Sequence, residues 1–199
     1  MALTRFTRGY TAVLLLTLSL SAPAWAGPAA TAAKSIAANP IAIDNFGQVN
    51  ANYFRGAQPQ GRDYADLAAL GVKTIIDLTK DGSAAEPSLV QAAGMRFFRI
   101  PMTTHEAPTA EQIGQFLRLV NDPANQPVCV HCQGGRHRTG VMTAVYRMTT
   151  DRWTPDQAFA EMKHYNFGAD YLHAEFKRFV YGYHADVAVD AAIPARSGS

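Results

Sequence analysis

A single α/β domain with a central, mainly parallel sheet flanked by helices is predicted by three observations. Short apolar runs of strand character recur around Tyr53-Phe54-Arg55, Val72 to Leu78, Met95 to Ile100 and Val128 to His131. Segments with helical spacing lie between and after them. Gly71 and Gly94 stand where helices should stop, and Thr109 and Thr154 stand where helices should start. Strands that alternate with helices favour a layered α/β fold over an antiparallel one.

Ile41-Ala42-Ile43 and Tyr53-Phe54-Arg55 are expected to form two short strands, and Gln58-Pro59 breaks the chain after them. Tyr64, Leu67, Ala68 and Leu70 then repeat at helical intervals up to Gly71. Val72 to Leu78 is a strand, Asp81-Gly82-Ser83 a turn, Glu86 to Ala93 a short helix, and Met95 to Ile100 a further strand. Pro101 to Pro108 is a loop. Thr109 and Gln112 form a capping box, with Ile113, Phe116, Leu117 and Val120 as the apolar face behind it. Val128 to His131 is the last strand, and Thr139 to Thr150 a mostly apolar helix. Thr154, Pro155 and Gln157 combine a cap, a proline at the first helical position and a box acceptor. Tyr171 to Tyr183 is a final amphipathic helix. Trp153, Phe159, Tyr171 and Phe176 are expected in the core, and His164 and His173 on the surface.

The first 26 of the 199 residues have the composition of a secretory leader. Arg5 and Arg8 precede an apolar run from Ala12 to Leu20, and Ala24-Trp25-Ala26 offers a small-x-small cleavage pattern. The run is too short, and too interrupted by Ser19, Ser21 and Pro23, for a stable anchor helix. The expected organisation is therefore a leader over 1–26, a loose lead-in over 27–40, one domain over 41–183 and a tail over 184–199, with a periplasmic or secreted location. Both leader charges are arginines, so the 18 basic residues fall to 16, matching the 16 acidic ones. A neutral mature chain gives no reason to expect nucleic acid or membrane insertion. Oligomeric state is left open.

Only two cysteines are present, Cys129 and Cys132. Positions i and i+3 on a strand lie about 10 Å apart, beyond the ~7 Å that a disulfide spans. Cys129 is therefore expected as buried strand filler. Cys132 opens the stretch His131-Cys132-Gln133-Gly134-Gly135-Arg136-His137-Arg138-Thr139, between a strand and a helix. A phosphate bound without metal needs many donors converging on a small volume. A tight loop at a helix N-terminus supplies them through inward N–H groups and a favourable dipole. Gly134 and Gly135 permit the turn. Cys132 sits in the same positive field, which favours its thiolate as nucleophile. Arg138 offers a planar fork for two phosphoryl oxygens, Thr139 a hydroxyl for the departing thiolate, and His131 support for the loop from below. Arg136 and His137 add charge that would suit a polyanionic substrate, or simply strengthen the local field.

This nine-residue stretch resembles the signature loop of the cysteine-dependent protein tyrosine phosphatase superfamily, His-Cys-x5-Arg-Thr/Ser, and most closely its small dual-specificity-like branch, which includes exported bacterial members. Tyr53 to Pro59, then Leu67 to Asp77, are similar to the amino-terminal half of those domains, and Arg152-Trp153-Thr154-Pro155 to the segment after their loop helix. The resemblance implies hydrolysis of phosphomonoesters, on a phosphorylated protein or a small phosphate ester, without cofactor. Such enzymes usually carry an Asp as general acid on a separate loop. The matching loop here, Pro101 to Pro108, contains none. Glu106 is the candidate acid, His105 the second, and Asp77 and Asp81 flank another loop. No His pair has a metal-site spacing, so no metal is expected. A rhodanese-like sulfurtransferase, an inositol phosphate or phosphoinositide phosphatase and a non-catalytic phosphate-binding module stand as alternatives.

Overall fold

The computed structural model describes residues 41–185. The expected leader, the lead-in and most of the tail lie outside these residues. Five strands form one sheet in the order β1-β2-β5-β3-β4. They are β1 (Gly47–Asn50), β2 (Tyr53–Ala57), β3 (Thr74–Thr79), β4 (Arg96–Met102) and β5 (Val128–Cys132). Only the β1–β2 pair is antiparallel. The helices are α1 (Asp63–Ala69), α2 (Glu86–Ala92), α3 (Ala110–Asn121), α4 (Arg138–Thr150), α5 (Pro155–His164) and α6 (Ala174–Gly182). Thr109 and Thr154 both complete the capping boxes expected of them.

Strands β2, β3 and β5 are buried on both faces, and their alternation separates two cores. Tyr53, Ile76, Val128, Val130 and Cys132 face a large core built with α3, α4, α5 and α6. Phe54, Ile75 and Cys129 face a smaller one built with α1 and α2. The helices that follow β2 and β3 therefore lie on one side of the sheet, and those that follow β4 and β5 on the other. The crevice this opens lies at the carboxyl end of β5, where such sheets place their ligands. Tyr53 fixes the two layers together: its hydroxyl pairs with Thr143 at 2.9 Å, and its ring meets Tyr146 and Phe116 edge-on.

Three local expectations are corrected. Ile41-Ala42-Ile43 is not a strand. Ile43 plugs the smaller core and the chain then turns, with Phe46 N–H donating to the Ile43 carbonyl and Asn45 at positive φ. An apolar plug and an apolar strand look alike over three residues. The last helix begins at Ala174, not Tyr171, because a turn occupies the residues before it. Tyr171 is accordingly 80% exposed, not core, whereas Phe159 and Phe176 are buried as expected.

Ile76 has no exposed surface and touches the larger core. Ile76→Ala should cost about 2–5 kcal/mol, read as a lowered midpoint in chemical denaturation.

Candidate active site

The segment after β5 wraps into a tight loop with three consecutive carbonyls held by the scaffold. Gln58 N–H donates to the Gln133 carbonyl at 3.2 Å. Asn45 Nδ2 donates to the Gly134 carbonyl at 2.7 Å. Arg55 Nη2 donates to the Gly135 carbonyl at 2.6 Å. In a trans peptide the N–H of the next residue points opposite to the carbonyl. Tying the carbonyls of 133, 134 and 135 outward thus turns the N–H groups of 134, 135 and 136 inward. The N-terminus of α4, capped by His137, adds its dipole from below.

Gly135 makes this wrap possible. Its φ is +66°, and a Cβ there would lie 2.5 Å from the Gly56 carbonyl carbon and 2.6 Å from Ala57 N. The loop is pressed against β2, and no side chain fits between them.

The cradle encloses a cavity of about 240 Å³ lined by Cys132, Gln133, Gly134, Arg136, His137, Arg138 and Thr104. Cys132 is 3% exposed at its base. Arg138 is equally buried. Its Nη1 rests on the Met102 carbonyl at 3.2 Å and on Asp81 at 3.5 Å, while Nε has no partner among the described residues. A buried guanidinium with one edge docked and another unpaired is arranged to accept an oxyanion. The hydroxyl of Thr139 is also buried and unpaired. Arg136 is exposed, and His137 is half-buried with Nε2 3.0 Å from the Phe167 carbonyl. Burial, and then neighbouring His173, hold the His137 imidazole below its ordinary pKa.

Alternation along β5 aims His131 away from Cys132, into the smaller core's side of the sheet. There it joins a fully buried cluster. Its Nε2 lies 2.9 Å from Glu86 Oε1, at an angle that does not make a hydrogen bond, and its Nδ1 lies 4.0 Å from Asp77. Glu86 Oε1 also accepts from Gln58 Nε2 at 2.7 Å and from the Tyr64 hydroxyl at 3.2 Å. Asp77 accepts from Thr79 and from Arg99 Nε at 2.7 Å, bracing the end of β3. Gln58 thus connects Glu86 to the phosphate loop through its own backbone.

Glu106 is exposed on the loop after β4, its carboxylate accepting from the Thr103 hydroxyl at 2.9 Å. Thr103 lines a second cavity of about 430 Å³, together with Lys80, Asp81, Met102, Thr104 and Arg138. This groove shares Thr104 and Arg138 with the loop cavity, so the two adjoin. Asp81, 83% exposed, stands in its lining beside Arg138. Asp81 lines this groove directly and Glu106 reaches it through its hydrogen bond to Thr103, so the turn reading of Asp81 was incomplete.

Among the described residues, two groups of side chains have a metal-ligating composition that linear spacing did not reveal: Asp77, Glu86 and His131, and His105, His173 and Glu175. The first is closed around Arg99, whose guanidinium already supplies the cation. The second lies at the rim of the loop cavity. His173 is half-buried there and not a surface helix residue as expected, because the turn before α6 folds it against His137.

Arg55, like Asn45 and Glu86, is a residue that sequence reasoning missed. It has no exposed surface, and its guanidinium lies 3.9 Å over the Tyr165 ring. Burial lowers its pKa from the ordinary value. A charged residue inside a strand-like run between apolar and small neighbours was the available signal.

A profile of the family described as "DSP-PTPase phosphatase fused to NAD+ Kinase" matches residues 39–178. This chain belongs to the dual-specificity branch of the cysteine-dependent phosphatases. It is 32% identical over 161 residues to the dual specificity protein phosphatase TpbA of Pseudomonas aeruginosa, which covers 78% of this chain and 72% of TpbA. The crystal structure of TpbA superposes with a TM-score of 0.65 at 25% identity, over 77% of this chain and 98% of that one. TpbA has also been solved in complex with phosphotyrosine. The catalytic core of the PP-IP phosphatase SIW14 from Saccharomyces cerevisiae superposes with a TM-score of 0.66 at 25% identity, over 75% of this chain and 91% of that one.

Two outcomes test the site's construction. Gly135→Ala should leave a folded protein whose affinity for vanadate or phosphate falls at least about tenfold, since the loop must leave β2. Thiol alkylation of the native protein at neutral pH should label Cys132 alone, because Cys129 is fully buried and burial pushes its thiol up to about 12. Equal labelling of both cysteines would contradict the burial described.

Proposed function

We propose that this phosphatase hydrolyses phosphomonoesters of proteins in two steps on Cys132, with phosphotyrosine or phosphoserine/threonine side chains as substrates. The observation that carries this reading is the single cavity holding Cys132 beneath inward N–H groups and beside the unpaired Nε of Arg138. Cys132 Sγ attacks phosphorus, the ester P–O bond breaks, and the leaving oxygen takes a proton from a carboxylic acid in the groove. Water then attacks the cysteinyl phosphate. Its proton returns to the same carboxylate as the S–P bond breaks and phosphate leaves. The backbone donors of residues 133–138, with Arg138, hold the charge of both transition states. The Thr139 hydroxyl, unpaired in the resting site, donates to the departing Cys132 thiolate, and His131 with Glu86 holds the loop from behind.

Glu106 is the proposed acid. It is carried by the loop facing the phosphate cradle, one hydrogen bond from a residue that lines the groove. Asp81, which lines the groove beside Arg138, is its rival. Inositol phosphates are a second substrate reading. Exposed Arg136 and Lys80 border the two cavities, and the relative SIW14 is described as an inositol diphosphatase. The leader over residues 1–26 supports export to the periplasm or beyond. No helix among the described residues is long and apolar enough to cross a membrane.

Hydrolysis of aryl phosphates under reducing, metal-free conditions tests the reading, and Cys132→Ser should reduce it to background. Glu106→Gln should slow substrates with poor leaving groups about 10²–10⁴-fold and good ones far less. The same pattern in Asp81→Asn, with Glu106→Gln unaffected, would transfer the acid role to Asp81. Higher kcat/KM on an inositol polyphosphate than on phosphopeptides would favour the second substrate class.

A further inference from the structure

Three imidazoles form a column at the rim of the phosphate cavity. His137, the cap of α4, lies 3.7 Å from His173 between ring centroids, and His173 lies 5.4 Å from His105 at an interplanar angle of 16°. They come from three different segments: the phosphate loop, the turn before α6 and the loop that bears Glu106. His173 Nδ1 is 3.1 Å from the Thr104 carbonyl and 3.3 Å from Glu175 Oε1. Ligand atoms of His105, His173 and Glu175 all lie within 4.8 Å of one another.

We propose that His105, His173 and Glu175 form a binding site for a divalent transition-metal cation of the zinc class, which clamps the Glu106 loop to the start of α6 and lowers turnover. Two imidazoles and one carboxylate make a donor set suited to zinc and unsuited to magnesium or calcium, which take mostly oxygen. Donors around a tetrahedral zinc lie about 3.3 Å apart, so the three must close by about an ångström or so. His105 is exposed and can supply that movement by rotating. The Thr104 carbonyl is the kind of outer partner that fixes the tautomer and aim of a ligating histidine. Among the described residues three protein ligands converge, leaving a position for water or for an oxygen of phosphate. Because Thr104 and His137 line the phosphate cavity, an ion bound here stands at its mouth.

The residues between β4 and α3 meet the turn before α6 through the His105–His173 ring contact and the Thr104 carbonyl, while the Thr103–Glu106 hydrogen bond stays within the loop. An acid that must approach the leaving oxygen and then accept a proton from water needs this loop free to adjust. A metal bond from His105 to α6 would remove that freedom.

Zinc titration into the full chain carrying Cys132→Ser, which removes the competing thiolate, tests binding independently of catalysis. One equivalent should bind with Kd below about 10 µM. Affinity should fall at least about tenfold in both His105→Ala and Glu175→Gln on that background, with no binding of magnesium. Failure to bind zinc stoichiometrically, or either variant binding it as tightly as its parent, would overturn the site. In the wild type, zinc should lower aryl phosphate turnover reversibly with a chelator, and Glu175→Gln should require about tenfold more zinc for the same inhibition. Equal inhibition of both would place the effect on the Cys132 thiolate and overturn the clamp.

Discussion

The structure of the site depends on one constraint: three consecutive carbonyls, of Gln133, Gly134 and Gly135, must be held facing outward. A free loop would turn some of them toward any bound anion and repel it. Here each is satisfied by a donor from a different part of the amino-terminal half, namely the Gln58 backbone, the Asn45 amide and the Arg55 guanidinium. The inward N–H groups are left unpaired by the same arrangement, and pairing them with a phosphoryl group is then favourable. The cradle is pre-formed, so little reorganisation opposes binding or reaction.

Holding this cradle requires charges in places where charge is costly. Arg55, Asp77 and Glu86 are fully buried. Isolated, each would be strongly destabilising. Arg55 is offset by its short bond to the Gly135 carbonyl and by the Tyr165 ring. Asp77 and Glu86 share Arg99, and Glu86 collects Gln58 and Tyr64 besides. The pleat of β5 makes the division of labour possible. Consecutive residues point to opposite faces, so His131 reaches this polar cluster while Cys132 reaches the cavity.

The fold class, the strand and helix order beyond residue 53, both capping boxes and the phosphate loop were legible in the sequence because each is a local signal. Periodicity, a Thr-x-x-Gln pair or a Cys-Gln-Gly-Gly run is written within a few residues. The plug at Ile43 failed as a strand because three apolar residues carry no period. Tyr171 and His173 were misplaced because the α6 pattern continues one turn upstream of where the helix starts. Arg55, Asn45 and Glu86 act on the loop from 80, 89 and some 45 positions away, and the parallel pairing of β2 with β5 is what brings Arg55 to it. The His105–His173–Glu175 group is of the same kind, since no linear spacing encodes it.

The most direct test of the account is to trap the reaction intermediate. The chain would be mixed with a labelled aryl phosphate, quenched in acid within the first turnovers, and the label mapped by peptide. The account predicts up to one phosphate per chain, linked to sulfur at Cys132, that disappears as inorganic phosphate is released. Turnover without label on Cys132, or label on any other side chain, would contradict it.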